Sequence, residues 1–256
     1  MTVEVANFCD GVAWKVMTRR SERVAMLEDV QGRLDVLVDA LDRLGVSLDS
    51  DWPDDLVVVQ VGDLVHRGPS SAGVVALVDQ LISLSGGRWI QLIGNHEATY
   101  LPGGRWHVPN DEHLPDETIA TIRRWHERGT AQLAVAVEDV LVTHAGLTRS
   151  RWDVLGQPAT SAEAADAINA ELRSDPEAAF RAGWMLAGVS SLDADPGVIW
   201  AHTTCELYPG WQHAASVPFG QVHGHLSASG GTATAGITSP RPSSAERRRS
   251  IASRAT

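Results

Sequence analysis

Two cysteines in 256 residues, Cys9 and Cys205, are too few for a disulfide framework and share no metal-ligand spacing. That excludes a disulfide-stapled secreted scaffold and makes a reducing, cytoplasmic setting the expectation. No stretch approaches the roughly 18 apolar residues that a membrane span needs. Charges interrupt the opening MTVEVANFCDGVAWKVMTRR throughout, so neither a signal peptide nor a membrane partner is read here. Positive charge is scarce as well: 21 Lys and Arg face 32 Asp and Glu, a net charge of −11. That balance excludes a chain whose main task is gripping nucleic acid through its phosphates, though not one with a local basic pocket. Lysine is nearly missing, with Lys15 alone, and two Tyr and three Phe stand beside nine Trp. No function is read from either bias.

What is present is an ordinary globular composition, 43% hydrophobic. Its length allows one large α/β domain or two small ones. Residues 1–22 read as an irregular lead-in. Arg23 to Asp29 is a short apolar run closed by an acid, as a buried strand would be. Leu34, Leu37, Val38, Leu41 and Leu44 form the stripe of an amphipathic helix, stopped by Gly45. Leu56–Val61 and Trp89–Ile93 read as strands, with a helix over Val74–Leu84 between them. Residues 99–130 are a loop-rich insert with a helical stretch around Trp125. Further strands are expected at Val140–Thr143, Val198–Ala201 and Phe219–Val222, and an Ala-rich helix at about 161–173. From Ser229 the chain turns Gly-, Ser-, Ala- and Thr-rich. Residues 239–256 carry five Arg and one Glu, so +4 against −15 for the remainder. A solvated, disordered tail is expected there, and any nucleic-acid contact would come through it.

The strands share one feature. Each ends in hard, metal-seeking groups: Asp29, then Asp63, then Asn95 with His96, then His144, and last His225. One such residue alone reads as a cap or a satisfied core group. Several of them delivered by one rule, strand followed by polar tip, read as a site, because neighbouring strand tips lie roughly 5 Å apart. Carboxylate, amide and imidazole together suit manganese, iron or zinc better than thiolate-seeking metals. His107, His113, His126 and His213 lie in loop-rich or helical surroundings and read as surface or packing residues; His202 follows a strand-like run. Arg105-Trp106-His107 and Cys205-Glu-Leu-Tyr-Pro-Gly-Trp211 are weaker candidates for substrate walls.

Gly62-Asp-Leu-Val-His-Arg-Gly-Pro69, Gly94-Asn-His-Glu97, Thr143-His-Ala-Gly-Leu147 and Gly224-His225, with Glu28-Asp-Val-Gln-Gly32 ahead of them, resemble the ordered signatures of the calcineurin-like metallophosphoesterases. The likeness is to the branch of the Ser/Thr protein phosphatases and symmetrical dinucleoside tetraphosphatases. It implies an α/β fold, two packed mixed β-sheets flanked by helices as a four-layer αββα sandwich, with the metal site at the strand C-terminal ends. It implies a metallophosphoesterase domain over residues 23–228, while composition marks 229–256 as a low-complexity basic tail. It also implies two divalent metal ions, manganese first, with iron, zinc or magnesium as alternatives. Asp63 would bridge them, with Asn95, His144 and His225 on the second ion and Asp29 and Gln31 on the first.

Gln31 stands where the family has histidine, and Ser227 where some members carry a further ligand. An amide binds transition metals less well than imidazole, so the first site is expected to be the weaker. Arg67 matches the arginine that grips phosphate oxygens, and His96 the proton donor to the leaving group. Asn95 is expected beside them in substrate binding. The family orients that histidine with an aspartate, and this chain has His66 there. The implied activity is hydrolysis of a phosphate ester by in-line attack of a hydroxide raised on the two ions. The partner is then a phosphorylated protein, a small phosphomonoester or a nucleotide. The rival readings are a weakened pseudoenzyme that binds phosphorylated ligands and a phosphodiesterase acting on nucleotides or nucleic acid.

Overall fold

The computed structural model describes residues 22–104, 113–183, 195–212, 214 and 216–225, together with the backbone of strands at 2–6 and 14–19. Cys9, Arg105-Trp106-His107, His213, Ser227 and the basic tail lie outside the described residues.

Four parallel strands run side by side in the larger sheet: β3 (Glu22–Leu27), β4 (Leu56–Gln60), β5 (Trp89–Leu92) and β6 (Ala131–Gln132). Ala25 pairs with Val58 and Val58 with Trp89, so the strands sit in step and their C-terminal ends line one edge. The segment expected to be an irregular lead-in is instead partly extended. Strands β1 (Thr2–Ala6) and β2 (Trp14–Arg19) pair antiparallel, and β2 pairs antiparallel with β3. Val3 and Val5 alternate with polar residues in β1, but in β2 Met17 falls on the phase of Lys15 and Arg19 and blurs the alternation in the sequence.

The smaller sheet has β7 (Ala134–Val137), β8 (Val140–Thr143) and β9 (Gly220–His223), with β7 antiparallel and β9 parallel to β8. Period-two alternation decides what each sheet covers. Met26, Val59, Val61, Leu92, Val142 and Val222 meet between the two sheets as one apolar cluster. The alternate residues, among them Ala25, Leu27, Val58 and Leu141, face the helices in a second and larger core. Helix α1 (Leu34–Leu44) buries Leu37, Ala40, Leu41 and Leu44 and ends at Gly45, whose left-handed φ of 81° suits a glycine cap. Helix α2 (Ser71–Leu84) follows β4, α3 (Asn95–Ala98) is a single turn after β5, and α4 (Asp116–Glu127) packs on α2. The α2–α4 contact is fixed by Asp79, which accepts from Arg124 at 2.9 Å and from the Trp125 indole at 2.8 Å. Helices α5 (Arg149–Val154), α6 (Ser161–Ser174) and α7 (Pro176–Ala179) follow β8, and α6 covers the outer face of the smaller sheet. Helices outside two packed sheets give the expected α/β sandwich.

Val198–Ala201, expected as a strand, is a buried turn. Ala145 N–H donates to the Val198 carbonyl at 2.6 Å and Trp200 N–H to Gly197 at 3.0 Å. Val198, Ile199 and Ala201 are fully buried without a ladder, so the apolar run reports burial and not extension. The preceding Pro196-Gly197 is the local reason the chain turns there.

Candidate metal centre

The residues that end the strands are brought together. Hydrogen bonds between loops fix their order: Gln31 N–H donates to the Asp63 carbonyl at 2.8 Å, Gly32 to Leu64 at 2.7 Å, and Gly224 to His144 at 2.8 Å. Gly62 and Gly94 bring the second and third loops into backbone contact. Gly62 has a left-handed φ of 107°, and a Cβ there would run into the Gly94 backbone, while one on Gly94 would strike the Asp63 carboxylate. Five non-glycine residues of the site, Gln31, Asp63, His66, Arg67 and His225, also hold φ between 50° and 73°. Such backbone costs about 1 kcal/mol or more per residue and gathers at functional sites.

His144 is the centre of the arrangement. Its Nδ1 donates to the Val61 carbonyl at 3.0 Å, so in the neutral ring Nε2 is a lone pair. That Nε2 lies 3.0 Å from Asn95 Oδ1, 2.9 Å from His225 Nδ1 and 3.5 Å from Asp63 Oδ1. Ligand atoms of Asp63, His144 and His225 all fall within 4.8 Å of one another. Oxygen and nitrogen ligand atoms that converge on one point in this way form a pocket shaped for a cation. The donor set of one carboxylate, one amide oxygen and two imidazoles therefore fits a divalent metal ion. The carbonyl that orients His144 is the kind of partner that metal-bound histidines use.

Electrostatics agree. Burial opposes a charge on His144, but Asp63 and Asp29 outweigh it and raise its pKa. Burial, then His144 and His96, push His225 well below the ordinary histidine value. Burial, then the Asp63 carboxylate, raise Asp29 above the usual carboxylate range. Asp29 Oδ1 accepts from the His225 amide at 3.2 Å and lies 4.0 Å from His144 Nδ1. Among the described residues Gln31 reaches Asp29, Nε2 to Oδ2 at 3.5 Å, and it is half-buried. Among the described residues, the Asp29 side of the pocket thus has fewer close donors than the His144 side.

His96 sits behind Asp63: its amide donates to Asp63 Oδ1 at 3.1 Å, and its Nε2 is 3.7 Å from Oδ2. Burial, then Arg67 and His144, push His96 down to about 4. His66 Nδ1 and His96 Nδ1 are 2.9 Å apart. Arg67 is exposed on the same loop, close enough for its charge to act on His96 and His225. His202 is half-buried, and its amide donates to Glu206 at 2.6 Å. His113 is exposed, and Cys205 is a half-buried free thiol.

The calcineurin-like phosphoesterase family model matches residues 23–226. The chain belongs to this family. Members of the calcineurin-like phosphoesterase family are metal-dependent, which accords with the donor set above. An asymmetrical bis(5′-nucleosyl)-tetraphosphatase, PrpE of Halalkalibacterium halodurans, is 26% identical over 140 residues, 48% of this chain and 56% of that protein. The chain thus spans little more than half the length of that curated relative. Among solved structures, the cold-active protein-tyrosine phosphatase of a psychrophile, Shewanella sp., is 20% identical, covering 83% of this chain and 82% of that one, with a TM-score of 0.49. A putative diadenosine tetraphosphatase is 25% identical over 53% and 55% of the two chains, with a TM-score of 0.35.

Sequence reasoning missed three side chains at the calcineurin-like phosphoesterase site. Glu97 is buried beneath it and accepts from the amides of Asp63 at 2.8 Å, Leu64 at 2.8 Å, Val65 at 3.2 Å and Gly94 at 2.9 Å. Its position three residues after Gly94, as in a capping box, was the available signal. Tyr100 has its hydroxyl 2.6 Å from His66 Nε2. Trp200 stands edge-on to His225 with ring centroids 6.1 Å apart. Neither carried a signal, because each reaches the site through tertiary packing alone.

Proposed function

We propose that this calcineurin-like phosphoesterase is a metal-dependent phosphatase that hydrolyses a phosphate ester. The observation that carries the reading is the convergence of Asp63, Asn95 and His225 on the lone pair of His144. Asp63, Asn95, His144 and His225 would hold one divalent ion, and Asp29, Asp63 and Gln31 a second, weaker one. Bound there, such ions supply an activated water and neutralise phosphoryl charge. Manganese is the first choice, since carboxylate, amide and imidazole all suit it. The work of the chain is to position. Arg67 offers a planar fork to phosphate oxygens from an exposed loop, where a ligand can reach it. His96 holds a proton at Nε2 beside Asp63 for the leaving group, and Asn95 orients the phosphoryl group. Asp63, Asn95, His96 and His144, all nine-tenths buried or more, keep water from competing for these contacts.

The substrate class is a phosphorylated protein, a small phosphomonoester or a nucleotide. The tetraphosphatase relative adds dinucleoside polyphosphates as compounds to assay. Residues 23–228 are taken as the catalytic domain and 229–256 as a tail outside the chemistry. A cytoplasmic location fits the two cysteines, and among the described residues no helix is long and apolar enough to cross a membrane.

The test is p-nitrophenyl phosphate hydrolysis by metal-stripped protein titrated with Mn²⁺, with Asp63→Asn as the blank. Turnover that rises beyond the first metal equivalent and is absent from the blank is expected. Saturable binding of one ion without turnover would instead favour a pseudoenzyme that binds phosphorylated ligands, the reading that Gln31 and His66 support. Turnover of a nucleotide diester that is lost on removal of residues 239–256 would favour the phosphodiesterase.

A further inference from the structure

His96 and Tyr100 lie one helical turn apart, and the imidazole of His66 fills the space between them. His66 Nδ1 is 2.9 Å from His96 Nδ1, and His66 Nε2 is 2.6 Å from the Tyr100 hydroxyl, a three-member chain. Its backbone is held at both ends. Ser71 Oγ accepts from His66 N–H at 2.8 Å, and the Glu97 backbone carbonyl accepts from Tyr100 N–H at 3.0 Å. His66 and His96 are buried and Tyr100 is half-buried. Tyr100 also lines a cavity of about 300 Å³ with Arg123 and His126, so its ring faces solvent on one side and His66 on the other.

The direction of the chain follows from Asp63. Each neutral imidazole carries one proton, and two nitrogens 2.9 Å apart must be one donor and one acceptor. His96 Nε2 lies 3.7 Å from the Asp63 carboxylate. A lone pair aimed at that oxygen is repelled and an N–H is attracted, so the proton belongs on Nε2. His96 Nδ1 is then the acceptor, and His66 Nδ1 must donate to it. That leaves His66 Nε2 as an acceptor whose donor is the Tyr100 hydroxyl. Reversing any one member reverses all three.

We propose that Tyr100 is a positioning residue for the phosphatase reaction, its hydroxyl fixing the tautomer of His66 and through it the proton of His96 that faces the leaving group. The inference rests on the reading of His96 as proton donor. An aspartate in place of His66 can only accept. It therefore demands Nδ1–H on a neutral His96, whereas the His66–Tyr100 pair donates and leaves the Nε2 proton to face the reacting ester. As that proton passes to the leaving oxygen, His66 Nδ1 gives its proton to His96 Nδ1 and Tyr100 gives its own to His66 Nε2, so both imidazoles end neutral and the negative charge rests on the Tyr100 phenolate.

Two measurements on the full chain test this. In metal-free protein labelled with ¹⁵N-histidine, imidazole correlations are expected to show Nδ1–H on His66 and Nε2–H on His96, assigned with His66→Asn and His96→Gln. Tyr100→Phe is expected to turn His66 into a mixture of tautomers. In Mn²⁺-loaded protein, Tyr100→Phe is expected to lower kcat about tenfold or more on an alkyl phosphate, and by less than about twofold on p-nitrophenyl phosphate, since acid assistance of roughly 10²–10⁴-fold matters most to a poor leaving group. Arg123→Ala, which removes a hydrogen bond to the Tyr100 carbonyl at 2.9 Å, should leave that ratio unchanged. Nδ1–H on His96 in the wild type, or equal losses on both esters in Tyr100→Phe, overturns the proposal. No turnover of either ester by the wild type would remove the phosphatase reading, and the tautomer measurement alone then decides whether Tyr100 orients the pair.

Discussion

Glu97 accepts hydrogen bonds from four backbone amides on the Asp63 and Gly94 loops, and so ties together the two loops that present Asp63 and Asn95. Burial and the nearby Asp63 carboxylate push it up to about 7, so its charge is tolerated only because the amides meet it. A glutamine has one oxygen where the carboxylate has two, and turns an N–H₂ toward donors. Leaving a buried donor unmet costs about 1–3 kcal/mol. Glu97→Gln should therefore lose about 3 kcal/mol in urea unfolding, and a loss under about 1 kcal/mol would refute the role. His96 gives a pH signature at the same scale. Its folded pKa of about 4 lies below the ordinary 6.5, so the stability it contributes is complete above pH 6.5 and is lost as pH falls toward 4. The 2.5-unit difference corresponds to about 3 kcal/mol. Unfolding free energies of metal-free wild type and His96→Gln should diverge by that amount between pH 4 and 6.5, the wild type losing ground in acid.

At the level of elements, legibility followed whether a pattern is local. Leu34–Leu44 reads as a helix because its stripe and its Gly45 cap are written in sequence, and the structure places the helix on those residues. Val140–Thr143 is likewise where four apolar or β-branched residues put it. Ala131–Gln132 and Ala134–Val137 were passed over, since strands this short are made by their neighbours and not by propensity. The candidate ligands stood out because each closely follows a strand; Tyr100 and Trp200 did not, since each meets the site by packing. Strand ends also transmit core damage to the site. Leu92 lies in the cluster between the sheets and Asn95 follows it by three residues. Leu37 is equally buried, in the helix-facing core behind the sheet. Each, changed to Ala, should cost about 2–5 kcal/mol, but only Leu92→Ala should also weaken Mn²⁺ binding. Paired urea unfolding and calorimetric titration check this, and equal affinities would argue that the loops hold Asn95 unaided.

Across the whole molecule, the candidate ligands come from both sheets. Asp29, Asp63 and Asn95 end strands of the larger one, and His144 and His225 end strands of the smaller. Among the described residues, the apolar cluster between the sheets has six buried members with Val24, Ile90, Val135, Val137 and Val140 packed against them, and the core on the helix side is larger. An ion held by Asp63, Asn95, His144 and His225 would thus join the two layers. Ligand that binds only the folded state stabilises it by about 2.7 kcal/mol at a hundredfold excess over Kd. For a chain of this size that corresponds to a rise of roughly 5–10 °C in Tm. Mn²⁺ should therefore raise the melting temperature of stripped protein, and the rise should vanish in Asp63→Asn and in His144→Asn alike, although these residues belong to different sheets. Asp29→Asn should keep most of it, because Asp29 and Gln31 form the poorer half of the pocket. A rise that survives His144→Asn but not Asp29→Asn would invert the order of the two sites and place the tighter ion on the oxygen-rich side.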